Sequence, residues 1–171
     1  MFLLKELPDK KMIKLTSADD KSVDASAVIA LLGILKASGD VLVEVEKFFA
    51  KNNLSQSRYI ALSVLISRPD GLFPYELADH MGISRATVSS VIKGLESSGY
   101  IITVKSGDDK RMKKISSTPE GKKIHESLLS DYYAILTGLF GVHDKKDIKT
   151  VNAVMKGISE QVLNFKNKGQ I

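Results

Sequence analysis

Between residues 23 and 49 the apolar positions Val28, Leu31, Leu32, Leu35, Leu42, Val45 and Phe49 recur at the spacing that lines one face of an α-helix. This predicts a long amphipathic helix, with Ser38-Gly39 as the place where it would kink. Asn52-Asn53 ends it, and Ser55 is placed to cap a shorter helix reaching about Ser67, because its hydroxyl can accept from an unpaired first-turn amide. Pro69-Asp70-Gly71 is a turn, and Leu72-Phe73 is a short apolar touch. A helix from Pro74 to about Met81 follows. Gly82 breaks it, and a further helix capped by Ser84 ends near Ser98-Gly99.

The pattern then changes period. Tyr100 to Lys105 and Met112 to Ser116 have β-branched character and flank Ser106-Gly107-Asp108-Asp109, which predicts a hairpin with a polar tip. Thr118-Pro119 opens another helix reaching about Gly141, and Asp144 can cap a last one to about Asn167. Residues 1–22 hold Pro8, Asp9-Lys10-Lys11 and Asp19-Asp20 without sustained periodicity, and read as an arm with at most one short helix. The chain shows no internal repeat and no low-complexity tract.

Helix, turn, helix and hairpin in that order make the winged helix-turn-helix plan, so the expected fold is mainly α with a small β-hairpin wing. Val88, Val91, Ile92 and Leu95 give the helix over residues 84–99 one core-facing stripe. The opposite side carries Ala86, Ser90 and Lys93, with Ser89 and Thr87 on its flanks and Arg85 projecting from the first turn. Such short side chains let a helix settle into a groove about 12 Å wide, where Arg85 can meet guanine or phosphate and the Thr87 methyl a thymine methyl. The amides at Ser84 suit a phosphate. In the hairpin Lys105, Lys110, Arg111, Lys113 and Lys114 oppose only Asp108 and Asp109. A protruding basic loop gains from releasing counterions condensed on DNA, and Asp109 can hold the Arg111 guanidinium in a fixed orientation. The candidate DNA contacts are therefore Ser84, Arg85, Ala86, Thr87, Ser89, Ser90 and Lys93 on the helix, and Lys105, Asp109, Lys110, Arg111 and Lys113 on the wing.

Composition narrows the class. At 171 residues, 43% hydrophobic and 26% charged, the chain is an ordinary folding protein of one compact unit with extended arms. Its 25 Lys+Arg against 20 Asp+Glu give +5, which favours polyanions without identifying one. With no cysteine there are no disulfides, thiolate metal sites or thiol-oxidation triggers, and a reducing interior suits it. MFLLKELPDKKM lacks the apolar stretch of a signal peptide, and the interrupted run from Ala25 to Leu35 falls short of the roughly 20 residues of a membrane span, so a cytoplasmic protein without membrane contact is expected. His80, His125 and His143 are scattered, with only Asp144 beside His143, which predicts no metal. No cofactor motif and no nucleophile, base and orienting residue stand at a recognisable spacing, so no enzyme is expected. Phe48-Phe49 and Tyr132-Tyr133 with Phe140 read as core or subunit contacts ahead of lining for a ligand cleft.

LSQSRYIALSVL, ELADHMGISRATVSSVIKGLESSGYI, DDKRMKK and STPEG, within residues 54–121, resemble the MarR family of bacterial winged-helix regulators. The resemblance implies a homodimer whose N- and C-terminal helices interlock, two recognition helices on a pseudo-palindromic operator, wing arginines in the minor groove, and a cleft for a small-molecule effector between the dimer helices and the reading head. Residues 1–22 would then be an arm, 23–53 and 119–171 the dimerisation helices, and 54–118 the DNA-binding domain. Ser90 and Gly94 stand where family members often have basic residues, so the reading face leans on Arg85 and Lys93, and Gly94 costs about 1 kcal/mol relative to Ala in a helix interior. Phe73 stands where a capping hydroxyl is usual. The expected function is sequence-specific binding of double-stranded DNA by a transcriptional regulator, in the sense of a repressor. The alternative is a winged-helix protein-interaction module with only non-specific DNA affinity.

Overall fold

The structure, a computed structural model, describes residues 6–16, 20, 22–105 and 113–169, with only the backbone at Lys105. It divides into two units, residues 1–125 and 126–171.

In the first unit a short helix α1 (Lys10–Thr16) starts at Asp9, whose carboxylate accepts from the Met12 amide at 2.7 Å. Helix α2 (Ala25–Ala50) is capped by Asp24, which accepts from Ser26 and Ala27, and it runs unbroken across Ser38-Gly39. Its richest stretch has a mean hydropathy of 1.8, which makes α2 long and apolar enough, by length and composition, to cross a membrane. The apolar residues continue past the run from Ala25 to Leu35, through Leu42, Val43 and Val45 to Phe48-Phe49, and the core helix of a soluble protein passes the same test. Helices α3 (Gln56–Ile66), α4 (Pro74–Met81) and α5 (Arg85–Ser97) follow at the expected places. Ser55 accepts from the Arg58 amide at 3.3 Å, and Gly82 (φ 64°) and Gly99 (φ 73°) take the left-handed turns that stop α4 and let the chain leave α5.

Strands β1 (Ile101–Lys105) and β2 (Lys113–Ser117) pair antiparallel, with Ile101 opposite Ser117, Thr103 opposite Ile115 and Lys105 opposite Lys113. Leu72 adds a third rung beside β2, exchanging both backbone hydrogen bonds with Ile115 at 3.0 and 2.8 Å. The apolar touch before α4 is therefore part of the sheet. Phe49 of α2, Leu62 and Leu65 of α3, Leu77 of α4, Val88 and Leu95 of α5, and Ile101 and Ile115 of the hairpin form the buried core. Every element that shapes the reading head contributes to it, so none can tilt alone without opening a void.

Helix α6 (Pro119–Gly138) begins in the first unit, where Thr118 Oγ1 accepts from the Gly121 amide at 3.0 Å and donates to the Gly99 carbonyl at 2.8 Å. It ends slightly before the expected Gly141, as the chain turns over residues 139–143. In the second unit Asp144 caps α7 (Lys145–Asn167), accepting from Lys146 and Asp147 at 2.7 and 2.8 Å. That cap brings His143 Nδ1 to 3.8 Å from Asp147 Oδ2, so the closer carboxylate to His143 is Asp147, not the neighbouring Asp144. Both side chains are exposed, and such a pair contributes little. No residue of α7 is buried, and Val151, Val154, Met155, Val162, Leu163 and Phe165 lie open.

Candidate nucleic-acid interface

The core stripe orients α5. Val88, Val91 and Leu95 are buried and Ile92 is half-buried, which turns Arg85, Ala86, Ser89, Ser90 and Lys93 outward. Ser84 and Thr87 are exposed beside them. Ser84 Oγ accepts from the Thr87 amide at 3.1 Å and lies 2.8 Å from Thr87 Oγ1, so the Thr87 hydroxyl is engaged at the cap and its methyl is left to present. Ser89 Oγ donates to the Arg85 carbonyl at 2.9 Å. Its proton is thereby held along the helix, and what it offers outward is an acceptor lone pair. Among the described residues no carboxylate forms an ion pair with Arg85 or Lys93. These cations are free to meet an outside anion.

The hairpin brings its own charge to the same place. Pro74, Ser89, Ile92, Lys93, Glu96, Thr103, Lys113 and Ile115 line one open cleft of about 300 Å³ between α5 and the base of the wing. It unites three residues singled out by sequence: Ser89 and Lys93 from the helix and Lys113 from the strand. Strand alternation sends Lys114 to the other face, where its Nζ lies 5.4 Å from the centre of the Phe73 ring. Lys105 stands opposite Lys113 in register. Asp109, Lys110 and Arg111, and with them the expected Asp109–Arg111 contact, lie outside the described residues.

Three features of the site escaped sequence reasoning. Thr103 Oγ1 donates to Glu96 Oε1, tying the wing strand to the recognition helix across the cleft. At α4, Phe73 has no capping hydroxyl, yet the Glu76 carboxylate accepts from the Phe73 amide at 2.8 Å and Pro74 has no N–H to satisfy. Gly94 is buried against Arg58 of α3. An acid in the first turn of α4 and a glycine inside α5 were the available signals. Neither names its partner. Elsewhere, His125 stacks on Tyr59 at 4.8 Å and its Nε2 lies 2.9 Å from Ser63 Oγ, so it serves the packing of α3 against the start of α6. Among the described residues no group of three or more His, Asp or Glu is gathered as for a metal ion.

Comparison with known proteins agrees with this geometry. Residues 52–112 match the MarR family. The HTH-type transcriptional repressor YetL of Bacillus subtilis (strain 168) is 25% identical over 165 residues, covering 96% of this chain and 99% of that protein. The structure of the S. aureus MepR–DNA complex superposes with a TM-score of 0.69 at 19% identity, covering 75% of this chain and 94% of MepR. CouR from Rhodococcus jostii RHA1, solved bound to p-coumaroyl-CoA, gives a TM-score of 0.64 at 20% identity over 74% of this chain and 89% of CouR. The match thus falls on the reading head: residues 52–112 resemble the MarR family of winged helix-turn-helix transcriptional regulators, which are not enzymes, and the fold is shared with solved regulators of that family.

Proposed function

We propose that the protein is a cytoplasmic, sequence-specific repressor that binds a pseudo-palindromic duplex operator as a homodimer and is tuned by a small-molecule effector. The observation that carries the reading is the cleft that gathers Ser89, Lys93 and Lys113, because it sets a small-faced helix beside a basic strand. In this reading α5 enters the major groove. Arg85 reads guanine or grips phosphate, the Thr87 methyl meets thymine, Ser89 accepts from an exocyclic amine, and Ala86 and Ser90 permit close approach. Ser84 presents first-turn amides to a phosphate, and Lys93 and Lys113 neutralise the strand between the grooves. Lys105, Asp109, Lys110 and Arg111 complete the wing, with Arg111 in the flanking minor groove.

Residues 54–118 are the DNA-binding domain in this proposal, 23–53 and 119–171 the dimerisation region, and 1–22 an arm. The exposed apolar residues of α2 and α7 support that division, since rows of this kind in a regulator need a partner surface. The repressor named above and the MepR–DNA complex support the DNA reading, and CouR with its bound acyl-CoA supports an effector. An effector would act by population shift, favouring a dimer whose two recognition helices are wrongly spaced for the operator.

Selection of bound sequences from random duplex DNA by the purified chain tests the proposal. The expected outcome is enrichment of a two-fold site whose halves lie about one helical turn, roughly 10 base pairs, apart. Arg85→Ala is expected to change the preferred base at one position per half-site by about 1–3 kcal/mol, while Arg111→Ala weakens all duplexes and flattens the salt dependence. Equal affinity for every duplex would instead identify a protein-interaction module with incidental DNA affinity.

A further inference from the structure

Helix α5 carries little charge of its own along one edge of its outward face, where Ser90 and Gly94 follow Thr87 at one-turn steps. Gly94 lies at the border between the buried stripe of Val91 and Leu95 and the outward face of Ala86, Ser90 and Lys93. That border is filled from elsewhere. A Cβ at Gly94 would overlap Cζ, Nε and Nη2 of Arg58, so the plane of the Arg58 guanidinium lies directly on the α5 backbone. Arg58 comes from the first turn of α3.

We propose that Arg58 is a DNA-contacting residue, its guanidinium seated in the Gly94 notch to bind a backbone phosphate at the edge of the groove that α5 enters. The inference rests on the DNA-binding function proposed above. Arg58 is half-buried, and among the described residues its guanidinium donates to no side chain or carbonyl; the hydrogen bond from residue 58 to a side chain is the amide to Ser55 Oγ. The Gly94 carbonyl is itself engaged, because Ser97 Oγ and Ser98 Oγ both donate to it at 3.0 Å. A guanidinium has five N–H donors in a rigid fork, and a partly desolvated cation without an internal counter-charge is best satisfied by an outside anion. Duplex DNA brings phosphate to this edge of the helix. The notch also fixes the plane of the fork before binding, which reduces the side-chain entropy lost on contact. Position 94 is thus read as space for a charge delivered by α3.

The test compares Arg58→Met with Arg58→Lys in the full-length chain, since both keep an apolar stem in the notch and only one keeps the charge. Binding to the selected duplex is followed by fluorescence anisotropy over a salt series, with thermal melts of each variant and Arg85→Ala as a reference. Arg58→Met is expected to lose about tenfold in affinity on every duplex and to lower the magnitude of the salt slope by about 0.9 per subunit, the signature of one lost phosphate contact. Arg58→Lys is expected to keep the parental slope, and the order of preferred sequences to stay unchanged in both. If Arg58→Met keeps the parental affinity and slope while Arg85→Ala shifts the preference, Arg58 is a packing residue and this inference falls alone. Should Arg58→Met melt below the assay temperature, the lysine variant decides by itself, because a slope as low as that expected for the methionine overturns the proposal. A parent chain that binds no duplex rejects the DNA reading and this inference together.

Discussion

At the scale of single residues, two glycines inside helices show why a propensity scale misreads a packed position. By propensity each lowers helix stability by about 1 kcal/mol relative to Ala. Gly94 instead makes room for the Arg58 guanidinium, and Gly121 lets α6 start against the end of β1's approach, where a Cβ would collide with the Tyr100 carbonyl oxygen and come within 3.2 Å of Leu62 Cδ1. A carbonyl held by the Thr118 amide at 3.0 Å has little freedom to retreat. Gly121→Ala is therefore expected to reduce the unfolding free energy by about 1–3 kcal/mol, the range for overpacking, despite its better helix propensity. Urea unfolding at fixed protein concentration checks it, and a gain in stability would mean that the contact with Tyr100 is not kept in solution. Neither role was legible in the sequence, where Arg58 and Gly94 are far apart and nothing local marks them as a pair.

Local rules did far better at the scale of elements. Ser55, Ser84 and Asp144 cap the helices they were expected to cap, because a cap is settled within three residues of its own helix. The outward face of α5 followed from the spacing of Val88, Val91 and Leu95 in the same way. What the pattern missed depends on distant partners: the Leu72 rung on β2, the Thr103–Glu96 tie, and the division of Lys113 and Lys114 between two faces of the hairpin. Ser84 offers a test that separates folding from recognition. Ser84→Ala removes the acceptor for the Thr87 amide and is expected to destabilise the fold by about 1 kcal/mol. Ser84→Asp restores an acceptor at a helix N-terminus and is expected to regain that stability while weakening DNA binding, because its carboxylate would face a phosphate. Thermal melts and anisotropy on the same samples read the two effects apart. An aspartate variant that binds DNA as tightly as the parent would place the start of α5 away from the backbone of the duplex.

At the scale of the whole molecule the question is what covers the apolar rows. On α2, Leu31, Leu35 and Leu42 are at least 46% exposed and share one stripe of the helix; on α7, Val151, Val154, Met155, Val162 and Phe165 are at least 40% exposed and also share one stripe. Burying a leucine side chain is worth about 1.5–3 kcal/mol, so leaving such stripes in water would forgo much of the stability a domain of this size has to spare. A bilayer would accept α2 by length and composition, but α7 carries Lys145, Lys146, Lys149, Lys156 and Lys166 around its stripe, which suits a helix with one apolar face in contact with protein and the other in water. The homodimer proposed above would cover such rows and would set two recognition helices at a fixed spacing. Leu35→Glu with Leu42→Glu is accordingly expected to convert a dimer into a monomer in light scattering, leaving the melting of the reading head close to the parent. Affinity for a two-fold operator should then fall by about 10²–10⁴, because the second half-site is no longer engaged within one complex, while affinity for an isolated half-site stays near the parental value. A variant that remains dimeric would move the interface off α2. Equal losses on the full operator and the half-site would show instead that the two glutamates had disturbed the reading head itself.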